Sequence, residues 1–271
     1  MIITNILNGI GKKLRKKHSS ANYPRLSWIT EKIIKHQDDQ QSKQRSLGNL
    51  VLNYIRPYEV IKTYKEIFTA EIYQFKTTNP HPIILDCGAN IGLSTLYFAM
   101  QYPNASIHAF EPDASIFYLL QKNIQDNHLS NVTLHNQAIW TQDTELSFSN
   151  KGSEASQIDA TGQSPTKVKA TRFADFLKQF EKVDFVKMDI EGAEFEVVQD
   201  CADQLHKIQN FFLEYHGTSS ETQKLITLLD FVKKAGFRVY IKMAADNLDI
   251  PFVQQTTGTT FDVQLNIFCY Q

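Results

Sequence analysis

The stretch Ile83-Ile84-Leu85-Asp86-Cys87-Gly88-Ala89-Asn90-Ile91-Gly92-Leu93-Ser94-Thr95 decides the fold. It opens with a short apolar run, which is typical of a strand buried on both faces. Gly88 to Gly92 is a tight turn of small residues, where we expect larger side chains to block a ligand. Leu93 then begins an amphipathic run, which predicts a helix. A strand, a glycine turn and a helix N-terminus together predict a cradle for a nucleotide-like ligand.

The glycine spacing and the acid before the turn narrow the choice of ligand. A dinucleotide fingerprint requires G-x-G-x-x-G. Here Gly88 and Gly92 are four positions apart, and Asp86 ends the strand just before them. A carboxylate at this point repels a pyrophosphate and suits a ligand with a cationic end, such as the α-amino group of S-adenosylmethionine. The sequence therefore predicts binding of S-adenosyl-L-methionine and not of NAD.

Composition excludes several classes of protein. The 271 residues allow one large domain, or one domain with an extension. A formal net charge of -1 creates no overall field that favours nucleic acid. No apolar run approaches the roughly 20 residues of a transmembrane segment. The cysteines, Cys87, Cys201 and Cys269, are far apart and form no C-x-x-C pair, which argues against a disulfide framework or zinc site and predicts a cytoplasmic location.

The first part of the chain predicts an N-terminal helical extension over residues 1–80, followed by the main domain over 81–271. Residues 1–18 contain five Lys or Arg residues, no acid, and apolar residues at helical spacing. One interpretation is a weak contact with a membrane surface. The other is a short helix with a solvated basic face, which Gly9 and Gly11 favour because glycine weakens a helix.

The rest of the extension gives weaker signals. Residues 28–35 predict a helix, and residues 38–45 predict a polar linker. Apolar residues at three- and four-residue spacing from Pro57 to Phe75 predict one long helix. We expect this helix to pack on the main domain. Core packing is the favoured role for its aromatic residues, and a roof over the site is the alternative.

Strands and helices alternate from residue 83 onward. Apolar runs predict parallel strands at 83–87, 106–110, 132–136, 183–188 and 211–213, and two closing strands at 237–241 and 262–269. Residues 144–149 alternate like an exposed strand, whereas the polar segment 151–167 predicts a mobile loop. Repeated β-α units predict an α/β fold, with a parallel sheet and helices on both faces.

Four acids close apolar runs at predicted strand ends: Asp86, Glu111, Asp189 and Glu214. A single acid in such a place is explained as a turn former. In open α/β sheets, however, ligands bind at the carboxyl ends of the strands. Four acids at that edge therefore predict a functional site.

Two residues are candidates to bind an adenosine group. Glu111 lies 19 residues after Gly92, the distance at which a second-strand acid accepts hydrogen bonds from ribose hydroxyls. Its carboxylate has two acceptor oxygens and can hold both hydroxyls. Gln137, at the end of the third strand, can offer a donor and an acceptor to an adenine edge. An ordinary polar surface position explains Gln137 equally well.

The fourth and fifth strands end in a second group of polar residues. Asp189 and Glu191 lie two positions apart at a turn, where carboxylates can take a proton, orient a hydroxyl or share a cation. Alternatively, Glu191 or Glu194 simply favours the positive start of the next helix. Glu214 and His216 alternate, so they face one side of the strand. His216 is either a base with a pKa of about 6.5 or a structural histidine.

These motifs together resemble the class I S-adenosylmethionine-dependent methyltransferases, and more narrowly the FkbM family. The likeness rests on the stretches 85–92, Phe110-Glu111-Pro112, Lys187-Met188-Asp189-Ile190-Glu191-Gly192-Ala193-Glu194 and Leu213-Glu214-Tyr215-His216. It covers about residues 83–216 and extends through the closing strands, but not the first 80 residues. Asn90 stands where many class I members have glycine, and asparagine tolerates a left-handed backbone.

The resemblance implies a Rossmann-like class I methyltransferase fold with a mostly parallel seven-stranded sheet. It also implies O-methylation of a hydroxyl on a sugar, glycan or natural product. The expected cofactor-binding residues are Asp86, Gly88, Asn90, Gly92, Glu111, Gln137 and Asp189. The expected catalytic residues are Asp189, Glu191, Glu214 and His216. The resemblance does not decide between direct base catalysis and a divalent ion held by the three acids, and we favour catalysis without a metal.

Two rival functions remain for comparison. One is an N-methyltransferase acting on nucleic acid or protein. Amino-targeting nucleic-acid methyltransferases resemble one another in an Asn-Pro-Pro-Tyr-like run, where this chain has Asp189-Ile190-Glu191-Gly192. The other is a non-catalytic protein that binds the cofactor as a scaffold. The acids retained at the strand ends argue against the scaffold.

Overall fold

The computed structural model describes residues 26–149, 157–158, 164, 166–255 and 261–271. The basic segment 1–18 and most of the predicted mobile loop 151–167 lie outside the described residues. The strands are β1 (Lys43–Leu47), β2 (Leu50–Tyr54), β3 (Ile83–Cys87), β4 (Ser106–Phe110), β5 (Val132–His135), β6 (Ala138–Trp140), β7 (Thr144–Ser149), β8 (Gln157–Ile158), β9 (Lys167–Arg172), β10 (Val183–Met188), β11 (Ile208–Gly217), β12 (Arg238–Ala245) and β13 (Val263–Tyr270). The helices are α1 (Trp28–Lys35), α2 (Pro57–Tyr64), α3 (Leu93–Gln101), α4 (Ala114–Asp126), α5 (Phe173–Leu177), α6 (Glu194–Asp200) and α7 (Thr222–Lys234), with a π-helical turn at Lys65–Thr69.

Among the described residues, seven strands form the central sheet in the order β12-β13-β11-β10-β3-β4-β5. The five strands from β11 to β5 are parallel. Strand β13 runs antiparallel to β11, and β12 runs antiparallel to β13. Strand β10 is buried along its whole length, as a central parallel strand requires. The predicted Rossmann-like, mostly parallel sheet is therefore confirmed.

The extension contains a β-hairpin, so the polar linker predicted at residues 38–45 is shorter than expected: residues 38–42 are irregular, but residues 43–45 belong to β1. Strands β1 and β2 pair around the two-residue turn Gly48-Asn49, where Gly48 has a φ of +59°. Helix α4 completes the backbone hydrogen bonds of β2. The Asn127 side chain bonds both N and O of Val51, and the Asn123 side chain bonds both N and O of Asn53. Two amides one helical turn apart thus take the place of a neighbouring strand.

The long helix predicted from Pro57 to Phe75 is shorter than expected. Helix α2 ends at Tyr64, the π-helical turn continues to Thr69, and Glu71 has a left-handed φ of +49° that stops the helical backbone. Its packing on the main domain agrees with the expectation, because Tyr64 and Phe68 are buried in one core with Tyr97 of α3.

The second half of the chain also departs from the prediction. Strand β11 extends through Gly217, so Glu214 and His216 lie within it instead of after its end. Helix α6 begins at Glu194, because Gly192 has a φ of +99°. The predicted strand at 144–149 is present as β7. It joins an unforeseen small sheet of described strands in the order β6-β9-β7-β8.

Within the described ranges, no helix is both long enough and apolar enough to cross a bilayer. The three cysteines are buried and unbonded.

Candidate active site

A cavity of about 470 Å³ opens at the carboxyl edge of the parallel strands. Its volume lies in the roughly 300–1,000 Å³ range of small-molecule sites. Most of the predicted site residues line it: Gly88, Asn90, Glu111, Gln137, Asp189, Glu191, Glu214 and His216. Asp86 and Gly92 do not. The parallel topology therefore brings the predicted strand-end residues together around one space.

Asp86 lies beneath the glycine turn and does not line the cavity, so this arrangement gives no support to its predicted contact with the cationic end of a ligand. Its side chain is 0% exposed. One carboxylate oxygen accepts hydrogen bonds from Ser94 Oγ at 2.7 Å and Thr95 Oγ1 at 2.6 Å. The other oxygen lies 3.7 Å from the Lys187 Nζ. Asp86 therefore fixes the first turn of α3 and balances a buried lysine.

That lysine, Lys187, is a central residue that the sequence reasoning missed. It is 3% exposed, and its Nζ lies 3.3 Å from Asp189 Oδ2 and donates to Gly88 O at 2.6 Å. Burial lowers the pKa of Lys187, but the charges of Asp189 and Asp86 outweigh burial and raise it above its usual value. The available signal was a lysine inside an apolar strand, which needs paired acids.

The two glycines of the turn are required by neighbouring protein atoms, a different reason from the one expected. A Cβ on Gly88 would lie 1.8 Å from the carbonyl oxygen of Asp189. A Cβ on Gly92 would lie 2.5 Å from Leu120 Cδ1. Both glycines also have left-handed backbones, with φ of +81° and +91°. Asn90, at φ +50°, adopts the left-handed conformation that asparagine tolerates.

Glu111 stands at the cavity wall beside this turn. Its two carboxylate oxygens accept hydrogen bonds from Asn90 N at 3.0 Å and Asp113 N at 2.8 Å. Each oxygen keeps a second lone pair for a further donor. Burial raises the pKa of Glu111 to about 7, and the two N–H bonds offset only part of that rise. Gln137 lines the same cavity just beyond the end of β5.

On the other side of the cavity, His216 is held by a buried glutamate. His216 Nδ1 lies 3.3 Å from Glu194 Oε1, and its Nε2 lies 3.7 Å from Glu191 Oε2 and 3.8 Å from Glu214 Oε1. Glu194 is 0% exposed and also accepts hydrogen bonds from the N–H groups of Ile190 and Gly192. Glu194 thus caps the start of α6, as one alternative proposed, and orients the histidine as well.

The charges around His216 change its protonation. Burial lowers the pKa of His216, but the hydrogen bond and charge of Glu194 and the charges of Asp189 and Glu191 raise it to about 10. The imidazole is therefore protonated at neutral pH. The raised pKa argues against a base with an ordinary histidine pKa and fits the alternative of a structural histidine, which is held here by the buried Glu194.

The pKa values of the two neighbouring glutamates, Glu191 and Glu214, lie well above the ordinary value of a carboxyl group. Burial and the charge of Asp189 raise the pKa of Glu214 to about 8 and that of Glu191 to about 9, while His216 opposes the rise. Each group loses its proton only as the pH approaches its raised pKa, and the carboxylate that results is a stronger base than an ordinary one. The cluster therefore contains carboxyl groups suited to general base work.

Asp189, Glu214 and His216 also form a group of potential metal-ligand atoms, all within 4.8 Å of one another. Two positive groups already occupy this region. The Lys187 Nζ lies 3.3 Å from Asp189, and His216 is protonated against Glu194. These charges oppose a divalent cation at the same point.

The N-terminal extension supplies another wall of the cavity. Residues of α2, the π-helical turn and the segment after it line the space: Arg56, Glu59, Val60, Thr63, Glu66, Ile67 and Tyr73. The alternative role of this helix, a roof over the site, agrees with that arrangement. None of these residues was among the predicted site residues, because helical periodicity alone does not show which face meets a cavity.

Residues 86–239 match the model of the methyltransferase FkbM domain. The chain belongs to the FkbM methyltransferase family. It is accordingly an S-adenosylmethionine-dependent methyltransferase with the Rossmann-like fold described above. The matched range contains all the predicted site residues, whereas the wall formed by residues 55–73 precedes it.

Similar proteins include other methyltransferases. The FkbM chain is 27% identical to Methyltransferase 1 of Beauveria bassiana over 210 residues, covering 68% of this chain and 83% of that protein. It is 25% identical to the 2-O-methyltransferase NoeI of Sinorhizobium fredii over 195 residues, covering 64% of this chain and 77% of that protein. The crystal structure of methyltransferase FkbM from Methylobacillus flagellatus is 16% identical, with a TM-score of 0.47, covering 72% of this chain and 45% of that chain.

Proposed function

We propose that this FkbM methyltransferase transfers a methyl group from S-adenosyl-L-methionine to a hydroxyl of a sugar, glycan or related natural product. The observation that carries the proposal is the meeting of two groups in one cavity. The glycine turn and Glu111 lie on one side, and the Glu214–His216–Glu194 cluster lies on the other. The name of the relative NoeI, a 2-O-methyltransferase, supports a hydroxyl acceptor.

The residues at the turn fit an adenosine-containing cofactor. The cavity is large enough for such a molecule, and each Glu111 oxygen retains a lone pair that can accept from a ribose hydroxyl. The turn around Asn90 and the side chain of Gln137 would hold the rest of the adenosine. When bound, S-adenosylmethionine supplies an electrophilic methyl group on a sulfonium ion.

The other side of the cavity would bind and activate the acceptor. Glu214 would take the proton of the acceptor hydroxyl as that oxygen bonds to the methyl group and the methyl–sulfur bond breaks. The sulfur would leave as a neutral thioether, and Glu214 would become a neutral carboxyl group. Its raised pKa suits this step, and strand β11 holds it in a fixed place. His216, protonated against Glu194, would fix the positions of Glu214 and Glu191. Alignment of the two reactants would then provide much of the rate enhancement.

The test uses S-adenosylmethionine with a labelled methyl group. The protein is incubated with a glycan extract of its host and with a panel of methyl glycosides, and the labelled position is located by mass spectrometry and NMR. We expect the label on an oxygen. Label on nitrogen would support the N-methyltransferase rival, and binding of S-adenosylmethionine without transfer to any hydroxyl compound would support a scaffold. Calorimetry that showed binding of NAD but not of S-adenosylmethionine would overturn the cofactor assignment.

A further inference from the structure

Tyr73 lies in the extension, before the range that matches the family model. It is 6% exposed, yet it lines the cavity. Its ring contacts Phe212 edge-on, with ring centres 4.9 Å apart, and also contacts Phe185 and Phe98. Among the described residues, its hydroxyl has no hydrogen-bond partner. Because Tyr73 lines the cavity, its unpaired hydroxyl is open to a ligand there.

The ring contacts place Tyr73 on the acceptor side of the cavity. Phe185 lies two residues before Lys187 on β10, and Phe212 lies two residues before Glu214 on β11. Side chains two positions apart on a strand share a face of the sheet. Tyr73 packs on Phe185 and Phe212, so it lies on the same face as Lys187 and Glu214 and next to them. The glycine turn and Glu111 belong to β3 and β4, toward the other edge of the sheet.

The segment that carries Tyr73 is anchored on both sheet and helix. The Tyr102 hydroxyl donates to Phe75 O at 2.8 Å and accepts from Phe75 N at 2.9 Å. The buried Asp184 accepts hydrogen bonds from Thr77 Oγ1 at 2.6 Å and Asn79 Nδ2 at 2.9 Å. Tyr73 therefore presents its hydroxyl from a fixed position.

The same surroundings keep the hydroxyl protonated. Burial, followed by the charges of Asp189 and Glu214, raises the pKa of Tyr73 well above its usual value. The group is therefore a neutral O–H donor throughout the working pH range.

We propose that Tyr73 positions the acceptor by donating its hydroxyl proton in a hydrogen bond to the oxygen that receives the methyl group. This inference rests on the proposed O-methylation. A hydroxyl group has one hydrogen and two lone pairs. If the hydrogen points to Glu214 and Tyr73 occupies one lone pair, a single lone pair remains to face the methyl group. Tyr73 thus selects the attacking direction, and the extension takes part in the reaction geometry.

The test is Tyr73→Phe, which keeps the ring and its packing on Phe212. The probe is the methyl glycoside of the panel with the highest wild-type turnover or, if none is turned over, the labelled glycan extract. We expect kcat/KM to fall by about tenfold to a hundredfold, the loss of a hydrogen bond to a partner that develops charge. The Kd of S-adenosylmethionine and the pH midpoint of turnover should stay unchanged. A merely structural role would instead lower Tm and weaken cofactor binding as well.

The matched control is Tyr54→Phe, which removes the hydroxyl of another buried tyrosine of the extension. Tyr54 donates to Gln37 Oε1 at 2.6 Å, away from the cavity. We expect this variant to lose some stability and keep wild-type turnover. Wild-type kcat/KM in Tyr73→Phe would overturn the role of Tyr73 and leave the proposed function intact. Wild-type protein that methylates no hydroxyl would overturn the proposed function and this inference with it.

Discussion

Glu194 Oε1 lies 3.3 Å from His216 Nδ1, and the two side chains are buried from water together. Neither residue could keep its charge alone in such a place without a large desolvation cost. The pair also aims the free Nε2 of the histidine at Glu191 and Glu214. This pair should therefore affect both the free energy of unfolding and its dependence on pH.

Replacing Glu194 by Gln should destabilise the fold by about 3 kcal/mol, because it leaves a buried histidine without its charged partner. In the wild type, the folded pKa of His216, about 10, lies above its unfolded value of about 6.5. The stabilisation from the pair is therefore complete below pH 6.5 and lost as pH rises toward 10. Urea unfolding from pH 6 to 10 should show this decline in the wild type and a flatter curve in the variant.

Glu196→Gln is the matched control for that experiment. Glu196 is on the same helix, but it pairs with Lys224 at 3.2 Å on the surface. An exposed pair contributes about 0–1 kcal/mol, so unfolding should change little. Equal losses in the two variants would contradict the special role of Glu194.

Glu214→Gln should lower turnover by about a hundredfold or more, the usual contribution of a general base. Wild-type turnover should rise with pH around a midpoint near 8, because the carboxyl group of Glu214 must lose its proton to act. That rise should disappear in the variant, while the Kd of S-adenosylmethionine stays the same. Glu221→Gln, on the surface beside Lys224, should behave like wild type. A variant that kept wild-type turnover would remove Glu214 from catalysis.

Glu111→Ala should weaken binding of S-adenosylmethionine by about 1–3 kcal/mol, the range for hydrogen bonds to a charged group. Ribose hydroxyls are donors and favour the ionised carboxylate, so binding should lower the pKa of Glu111 from about 7. Below pH 7 binding should therefore release protons, and affinity should rise with pH until about 7. Calorimetry in buffers of different ionisation enthalpy measures this release, which should be absent in the variant.

Gly88→Ala should prevent stable folding or lower Tm sharply, because the added Cβ would lie 1.8 Å from a backbone oxygen of Asp189. Gly236→Ala provides the control. Gly236 has a similar left-handed φ of +96°, but a Cβ there meets no atom within 4 Å. The control should cost only about 1 kcal/mol for backbone strain. Similar thermal shifts in the two variants would show that the clash at Gly88 is relieved.

Turnover should survive a chelator. Lys187 and the protonated His216 already place positive charge beside Asp189 and Glu214, where a divalent cation would sit. We therefore expect the same rate after treatment with EDTA as before it. A full loss of activity that magnesium restores would contradict metal-free catalysis.

The strand-end residues could be found from sequence because a parallel sheet brings its carboxyl ends to one edge. Glu111, Asp189 and Glu214 needed only this rule and the alternation of apolar runs. Asp86 also ends a parallel strand, but its side chain does not line the cavity. The paired rows of β3 and β10 set Asp86 beside Lys187, below the cavity, and pairing register cannot be read from one strand alone.

The missed features depend on contacts between distant segments. The backbone of β2 in the hairpin forms hydrogen bonds with the side chains of Asn123 and Asn127, which lie about 70 residues later in the chain. The sequence indicates for Glu194 only an acid at the start of a helix. The structure shows that β11 also places His216 against it. Its second partner, and with it the raised pKa of the histidine, became visible only in three dimensions.

The wall contributed by residues 55–73 has a consequence for engineering. Under the proposed function, the cofactor-binding turn and the Glu214–His216 cluster both follow residue 85, while the wall formed by residues 55–73 precedes the range that matches the family model. We expect substitutions in this wall to change which acceptor is methylated. Chimeras that exchange this stretch between relatives would test this expectation. The exchange should include Asn123 and Asn127, whose side chains bond the backbone of β2.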